Sequence, residues 1–159
     1  MNKKPSIVNE EPKPIDLIRT WEESGYSIGF TNGCFDIIHP GHISLFHCAK
    51  NECDKLVVGL NSDSSVAKLK GKDRPIQKEN ARATVLLALK DVDVVIIFNE
   101  ETPIKLIELI KPDVLIKGGD YKIDEIVGAE FIQQNGGRVV LSDYKKGHST
   151  SDIIKKIES

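Results

Sequence analysis

Short, dense apolar runs recur along this chain, and between them the apolar residues are spaced for helices. The run KLVVGLN, 55–61, is apolar almost throughout, which is the pattern of a strand covered on both faces. SIGFTN, DVVIIF, DVLIKG and RVVLS read as strands as well. Alternating with them, IDLIRTWEES, HISLFHCAKN, KENARATVLLALKD, TPIKLIELIK and DEIVGAEFIQQN read as helices, and SDIIKKIE as a short last one. Ile15, Ile18 and Trp21 share a face of the first helix, and Gly25 is its stop. Thr102 is predicted as the N-cap of TPIKLIELIK with Pro103 at its first position, and Gly136-Gly137 as the stop of DEIVGAEFIQQN. The stretch NSDSSVAKLKGKDRPI is polar, basic and rich in turn formers, so it is predicted as a long loop.

Five strands alternating with helices predict an α/β fold. With right-handed crossovers it is a doubly wound, Rossmann-like, five-stranded parallel sheet. At 159 residues the chain fits a single domain over 15–159, preceded by a flexible lead-in over 1–14 that carries Pro5, Pro12 and Pro14 among charges. Folds of this kind bind ligands beyond the carboxyl ends of the strands, where the strand order reverses. The strand-to-helix loops are therefore where chemistry is sought.

Composition narrows the field. Twenty-two basic against 24 acidic residues leave a net charge of −2, which gives no support for general nucleic-acid affinity. No stretch approaches the ~20 apolar residues that span a bilayer, and MNKKPSIVNEEPKPID has no secretory apolar core. Cys34, Cys48 and Cys53 are odd in number and irregularly spaced, which fits reduced thiols in a cytoplasmic protein, and no C-x-x-C pair anchors a metal.

Four loops carry unusual residues. NGCFDIIHPGH follows the first Rossmann strand and opens its helix near Gly41. A helix N-terminus suits phosphate; Gly41 would let a phosphate approach the backbone, and His39 and His42 flank that gap as donors. Such donors fit a phosphoryl or nucleotidyl group that gains charge during displacement, although two histidines could also simply cap a helix. In the second loop Lys68, Lys70, Lys72 and Arg74 either meet an anion or stay solvated. In IKGGDY, Gly118 and Gly119 permit close approach, Lys117 suits a phosphate and Asp120 a hydroxyl. In KKGHSTSDII, Ser149, Thr150 and Ser151 can both cap a helix and bind an anion. His47 reads as a surface or packing residue, and His148 has no assigned role.

H-x-G-H at the end of a first Rossmann strand resembles the signature of the nucleotidylyltransferases, which include the cytidylyltransferases. GCFD before it and GHSTS near the C-terminus are similar to further hallmarks, and the likeness runs from Ser27 to Ile157. The resemblance implies that His39 and His42 contact the nucleotide phosphates as pyrophosphate leaves, with Lys68 as a catalytic cation and Lys70 as its phosphate-binding companion. Lys72 has no counterpart, and Ser151 stands where the family usually has Thr. It further implies nucleotide contacts from Cys34, Phe35, Gly41, Gly118, Ser149, Thr150 and Ser151, and acceptor contacts from Asn32, Asp36, Arg82, Lys117 and Asp120. Mg2+ would be carried mainly by the nucleotide phosphates.

TNGCFDIIHPGH, VGLNSDSSVAKLKG, RPIQ, FNEETPIKLIELIKPDVLIKGGDY and GHSTSDIIKKI resemble, more finely, the adenylyltransferases that make ADP-heptose for lipopolysaccharide. That resemblance implies ATP and D-glycero-β-D-manno-heptose 1-phosphate as substrates. It also implies a homodimer and a stand-alone form of a domain that many bacteria fuse to a sugar kinase. A cytidylyltransferase acting on glycerol 3-phosphate or a related polyol phosphate is an open alternative, as is a non-catalytic nucleotide-binding protein.

Overall fold

Every strand of the five-stranded sheet pairs parallel to its neighbours. The computed structural model describes residues 12–119, 121–143 and 147–159. The strands are β1 (Ile28–Gly33), β2 (Lys55–Asn61), β3 (Val94–Phe98), β4 (Val114–Gly118) and β5 (Arg138–Ser142), and they lie in the order β3-β2-β1-β4-β5. The helices are α1 (Pro14–Glu23), α2 (Pro40–Asn51), α3 (Asp63–Lys70), α4 (Glu79–Leu87), α5 (Ile104–Ile110), α6 (Ala129–Gln134) and α7 (Thr150–Glu158), with a 3-10 turn at Ile123–Glu125.

Side-chain alternation along the strands builds two cores. Phe30, Val57, Val94 and Leu115 pack with Ile18 of α1, Ile107 of α5 and Ile132 of α6. Leu56, Val58, Val95 and Ile116 pack with Phe46 of α2 and with Ala83 and Leu86 of α4. Full burial of such a side chain is worth roughly 1.5–3 kcal/mol, so both sheet faces must be covered for the chain to fold. Gly59 is required where β2 passes β1, because a Cβ there would lie 2.8 Å from Phe30 Cζ. The doubly wound α/β fold expected from the alternation is what forms, and its strand order reverses between β1 and β4.

Three expectations about elements are corrected. The predicted loop over 61–76 contains α3, because the Ser62 side chain accepts from Ser65 N at 3.2 Å as N-cap and Val66 is buried. The cap of α5 is Pro103 and not Thr102, so the helix starts at Ile104. The predicted helix over 124–135 is broken at Gly128, which turns at φ 88° where a Cβ would lie 2.7 Å from Ile107 Cδ1. Of the predicted lead-in, residues 1–11 lie outside the described residues, and Pro14 is already the first residue of α1.

Candidate active site

A cleft of about 530 Å³ opens at the carboxyl ends of β1 and β4, lined by Asn32, Cys34, His39, His42, Lys117 and Gly118 among others. The two histidines occupy it in a fixed way. His39 is the N-cap of α2, and its Nδ1 accepts the Gly41 N–H at 3.1 Å. His42, three residues on, returns the favour: its Nδ1 accepts the His39 N–H at 3.4 Å. This is a capping box made of two imidazoles. With each Nδ1 spent as an acceptor, the proton of each neutral ring sits on Nε2, leaving Nε2–H as the available donor. The rings stack 3.7 Å apart at 23°.

Burial holds both histidines neutral. It pushes His42 down to about 4, with a smaller contribution from His39. His39 is lowered by burial and then by His148. Phe35 sets the His42 ring from below: it is 4% exposed, its backbone is left-handed at φ 43°, and its ring meets His42 edge-on at 5.1 Å. Gly41 makes room for a side chain of the protein itself. A Cβ there would lie 2.9 Å from His39 Cε1, so the missing side chain admits the imidazole. Beyond it stands His148, whose ring lies 6.4 Å from that of His39. Thr150 ties the start of α7 to this corner by donating from Oγ1 to Ile37 O at 3.1 Å, and Ser149 caps α7 by accepting from Asp152 N. Ser149, Thr150 and Ser151 thus line the same cleft as the histidines.

The charged residues divide differently from the sequence reading. Arg82 was expected to touch the acceptor. Its side chain is instead fully buried, donating from Nη1 to Cys34 O at 2.7 Å and Asn61 O at 2.8 Å, from Nε to Gln77 O and from Nη2 to Asp63. It ties the loop after β1 to the end of β2, and has no free face for a ligand. Asp36, also expected at the acceptor, is 2% exposed, and its carboxylate accepts from Arg74 Nε and from the backbone N–H groups of Ile76 and Gln77. Those bonds hold its carboxyl below the usual range although burial alone would raise it. Lys68 is exposed on α3 and does not line the cleft, whereas Lys70 and Arg74 do. Two residues apart on a helix, Lys68 and Lys70 cannot face the same way. Lys117 is pushed down to about 8 by burial, and its Nζ lies 5.9 Å from the Tyr121 ring centre. Burial raises the Cys34 thiol, against the pull of Lys70, Arg82 and Arg74. Asp120 lies outside the described residues.

The family model described as cytidylyltransferase-like matches residues 30–156. The chain belongs to the cytidylyltransferase-like family. It is 55% identical over 142 residues to the bifunctional protein HldE of Paramagnetospirillum magneticum, covering 89% of this chain and 29% of that protein. It is 51% identical over 153 residues to the HldE of a Bradyrhizobium strain, covering 96% of this chain and 31% of that one. The chain therefore spans about a third of the length of these relatives. A crystal structure of the lipopolysaccharide core biosynthesis protein from Thermoplasma volcanium superposes with a TM-score of 0.61 at 33% identity, covering 78% of this chain and all of that one. A pantoate-beta-alanine ligase from Francisella tularensis, at 18% identity and a TM-score of 0.63, shares the fold.

This cytidylyltransferase-like domain is a nucleotidyltransferase, and its cleft can be read accordingly. It presents neutral N–H donors from His39 and His42 and cationic side chains from Lys70, Arg74 and Lys117. Two further polar atoms, Thr31 Oγ1 and Asn32 Oδ1, are buried at the end of β1 without a hydrogen-bond partner among the described residues. Asn32 was anticipated at the acceptor; Thr31 was not, because a threonine inside an apolar strand gives no sign in the sequence that its hydroxyl is unpaired. No described helix is long and apolar enough to cross a membrane.

Proposed function

We propose that this domain transfers an adenylyl group from ATP to D-glycero-β-D-manno-heptose 1-phosphate, giving ADP-heptose and pyrophosphate for lipopolysaccharide core synthesis. The observation that carries the reading is the reciprocal capping of His39 and His42, which aims two Nε2–H donors from the switch point of a nucleotidyltransferase. The identity to proteins named HldE, and to a lipopolysaccharide core biosynthesis protein, supports the sugar.

A sugar-phosphate oxygen attacks the α-phosphorus of ATP in line with the bond to the β-phosphate. That bond breaks and its electron pair leaves with pyrophosphate. The attacking phosphate is already ionised, so no protein base or nucleophile is needed, and positioning and charge stabilisation do the rest. His39 and His42 donate to the phosphoryl oxygens as charge builds there. Ser149, Thr150 and Ser151 hold the remaining nucleotide phosphates, with Lys70 beside them. Lys117 and Asn32 receive the phosphosugar, and Asp120 is assigned to one of its hydroxyls.

Mg2+ is assigned to the phosphate oxygens of ATP, where it supplies charge neutralisation. The described donor set fits that assignment, because the cleft is lined by imidazoles and cations and its one described carboxylate, Asp36, is occupied by three donors. We place the reaction in the cytoplasm, carried out by a homodimer on small molecules, without nucleic acid or membrane. Pyrophosphate release from ATP and from CTP, each with a panel of sugar and polyol phosphates, tests the reading. Release with ATP and the heptose 1-phosphate supports it. Release with CTP and glycerol 3-phosphate assigns a cytidylyltransferase, and nucleotide binding without release for every pair leaves a non-catalytic binder.

A further inference from the structure

We propose that Arg74 is the fork that grips the phosphate of the acceptor, and that Asp36 is the residue that aims it. The proposal deepens the adenylyltransferase reading, which names the acceptor as a phosphosugar. Neither residue of this pair acts through sequence proximity: they are separated by two helices and a strand, and meet only in the fold.

The clasp is built in both directions. One Asp36 oxygen accepts from Arg74 Nε at 2.9 Å and from Ile76 N at 2.8 Å, and the other accepts from Gln77 N at 2.9 Å. The Gln77 side chain donates back to Asp36 O at 3.0 Å. The segment from Arg74 to Gln77 is thereby pinned to the loop that leads into His39. A carboxylate this buried needs its donors, so the clasp is not a dispensable surface pair.

Arg74 spends only Nε on this bond. Among the described residues its two Nη groups make no hydrogen bond, and its side chain, 15% exposed, lines the cleft. A guanidinium held by one edge presents its remaining N–H groups in a planar array suited to two oxygens of one phosphate. Lys117, assigned above to the phosphosugar, lines the same cleft as Arg74. The His39 ring lies instead 3.7 Å from that of His42 and 6.4 Å from that of His148, which directly precedes α7 and its cap Ser149. The nucleotide phosphates belong with the histidines and the start of α7, and a second phosphate belongs with Arg74 and Lys117.

The test measures binding without turnover. The intact chain is saturated with an ATP analogue carrying methylene between the α- and β-phosphorus, then titrated with inorganic phosphate and with heptose 1-phosphate. Wild type is compared with Arg74→Ala, Arg74→Lys and Asp36→Asn, and thermal melting confirms that each variant folds. Arg74→Ala is expected to weaken both phosphates by about 10- to 100-fold while changing analogue affinity less than about threefold. Arg74→Lys, which keeps charge and loses the fork, should recover less than half of that loss on a logarithmic scale. Asp36→Asn should fall between wild type and Arg74→Ala, with analogue affinity again little changed. If Asp36→Asn melts out, the two Arg74 variants decide alone. Unchanged phosphate binding in Arg74→Ala, or an equal loss for the analogue, overturns the proposal. Loss of inorganic phosphate binding in Arg74→Ala with no wild-type binding of the heptose sugar keeps the fork and removes the sugar assignment.

Discussion

One set of cleft residues, His39 and His42, offers hydrogen-bond donors that carry no charge, because a backbone N–H occupies each Nδ1 and burial lowers both groups. A second set, Lys70, Arg74 and Lys117, lines the same cleft with cationic side chains. The difference matches two separate tasks. Cations attract substrate phosphates that are already anionic, so they act on ground state and transition state alike. A neutral donor held rigidly has less to gain from the ground state, and strengthens as negative charge grows on the oxygen it faces. Protonating either imidazole would set an N–H against the backbone N–H that it now accepts, undoing the cap as well as the donor arrangement. Neutrality here follows from the fold and costs no separate device.

The largest expected effect removes what both sets share. Arg82 connects the loop bearing the histidines to the end of β2 and to α3, through bonds to Cys34 O, Asn61 O and Asp63. Arg82→Ala strands three backbone carbonyls, those of Cys34, Asn61 and Gln77, and a partly buried carboxylate, so a loss of about 3–5 kcal/mol in folding stability is expected. Urea unfolding with an unchanged m-value would register it directly. A loss below about 1 kcal/mol would mean that the two sets are held independently.

Next comes the neutral set by itself. His39→Ala and His42→Ala are each expected to lower kcat by about 10²-fold with the KM for either substrate changed much less. His47→Ala serves as control, since His47 is exposed and faces Asp91 at 3.4 Å, away from the cleft. If the histidine variants instead raise KM at constant kcat, the imidazoles bind like cations and the contrast between the sets collapses.

Much of this was legible before the fold was known, and the errors share one cause. H-P-G-H could be read because the motif sits where a strand gives way to a helix, so its place in a Rossmann fold assigns its direction. The five strands were legible because their apolar runs are continuous. Arg82 and Asp36 were misread because a sequence displays the charge of a residue and not the partner that consumes it. Each is answered from far along the chain, Arg82 from Cys34 and Asp36 from Arg74. α3 was missed although Ser62 is a sound cap, because its single buried apolar residue, Val66, sits in a run of polar and basic neighbours. Gly41 reads as room for phosphate, and the sequence does not show that the His39 ring, two residues away, needs the same space.

Acid should expose the histidine set through stability. His42 has a folded value of about 4 against an ordinary 6.5, so below pH 6.5 the unfolded chain takes a proton that the folded one refuses. Stability is therefore intact above about pH 6.5, and falls as pH drops toward 4. At pH 5 the loss from this group is about 2 kcal/mol, from 1.4 kcal/mol for each pH unit. His42→Asn should lack that slope. Asp36, lowered by its three donors, adds a separate loss only below the ordinary carboxylate range, so the two can be told apart by where the curve bends. Parallel stability curves for wild type and His42→Asn between pH 7 and pH 5 would contradict a neutral, buried imidazole.

The smallest effect belongs to alkali and to the cationic set. Lys117 loses its proton near pH 8 because burial disfavours the ammonium, so its charge is present below that value and fades above it. At pH 9 about a tenth of the free enzyme keeps that charge, and an anion requiring it binds about tenfold more weakly. The substrate phosphates, with a second pKa of about 6, are mostly dianionic throughout this range and gain charge rather than lose it as pH rises, so the weakening reports the protein. KM for the phosphosugar is therefore expected to rise about tenfold between pH 7 and pH 9, with KM for ATP changing less, since the histidines that face the nucleotide are neutral at both values. Lys117→Arg, which stays charged throughout, should flatten the rise, and Lys117→Ala should show the high constant already at pH 7. Steady-state constants for both substrates across that range decide the matter. A rise confined to ATP would move Lys117 to the nucleotide and leave the cationic set without its buried member.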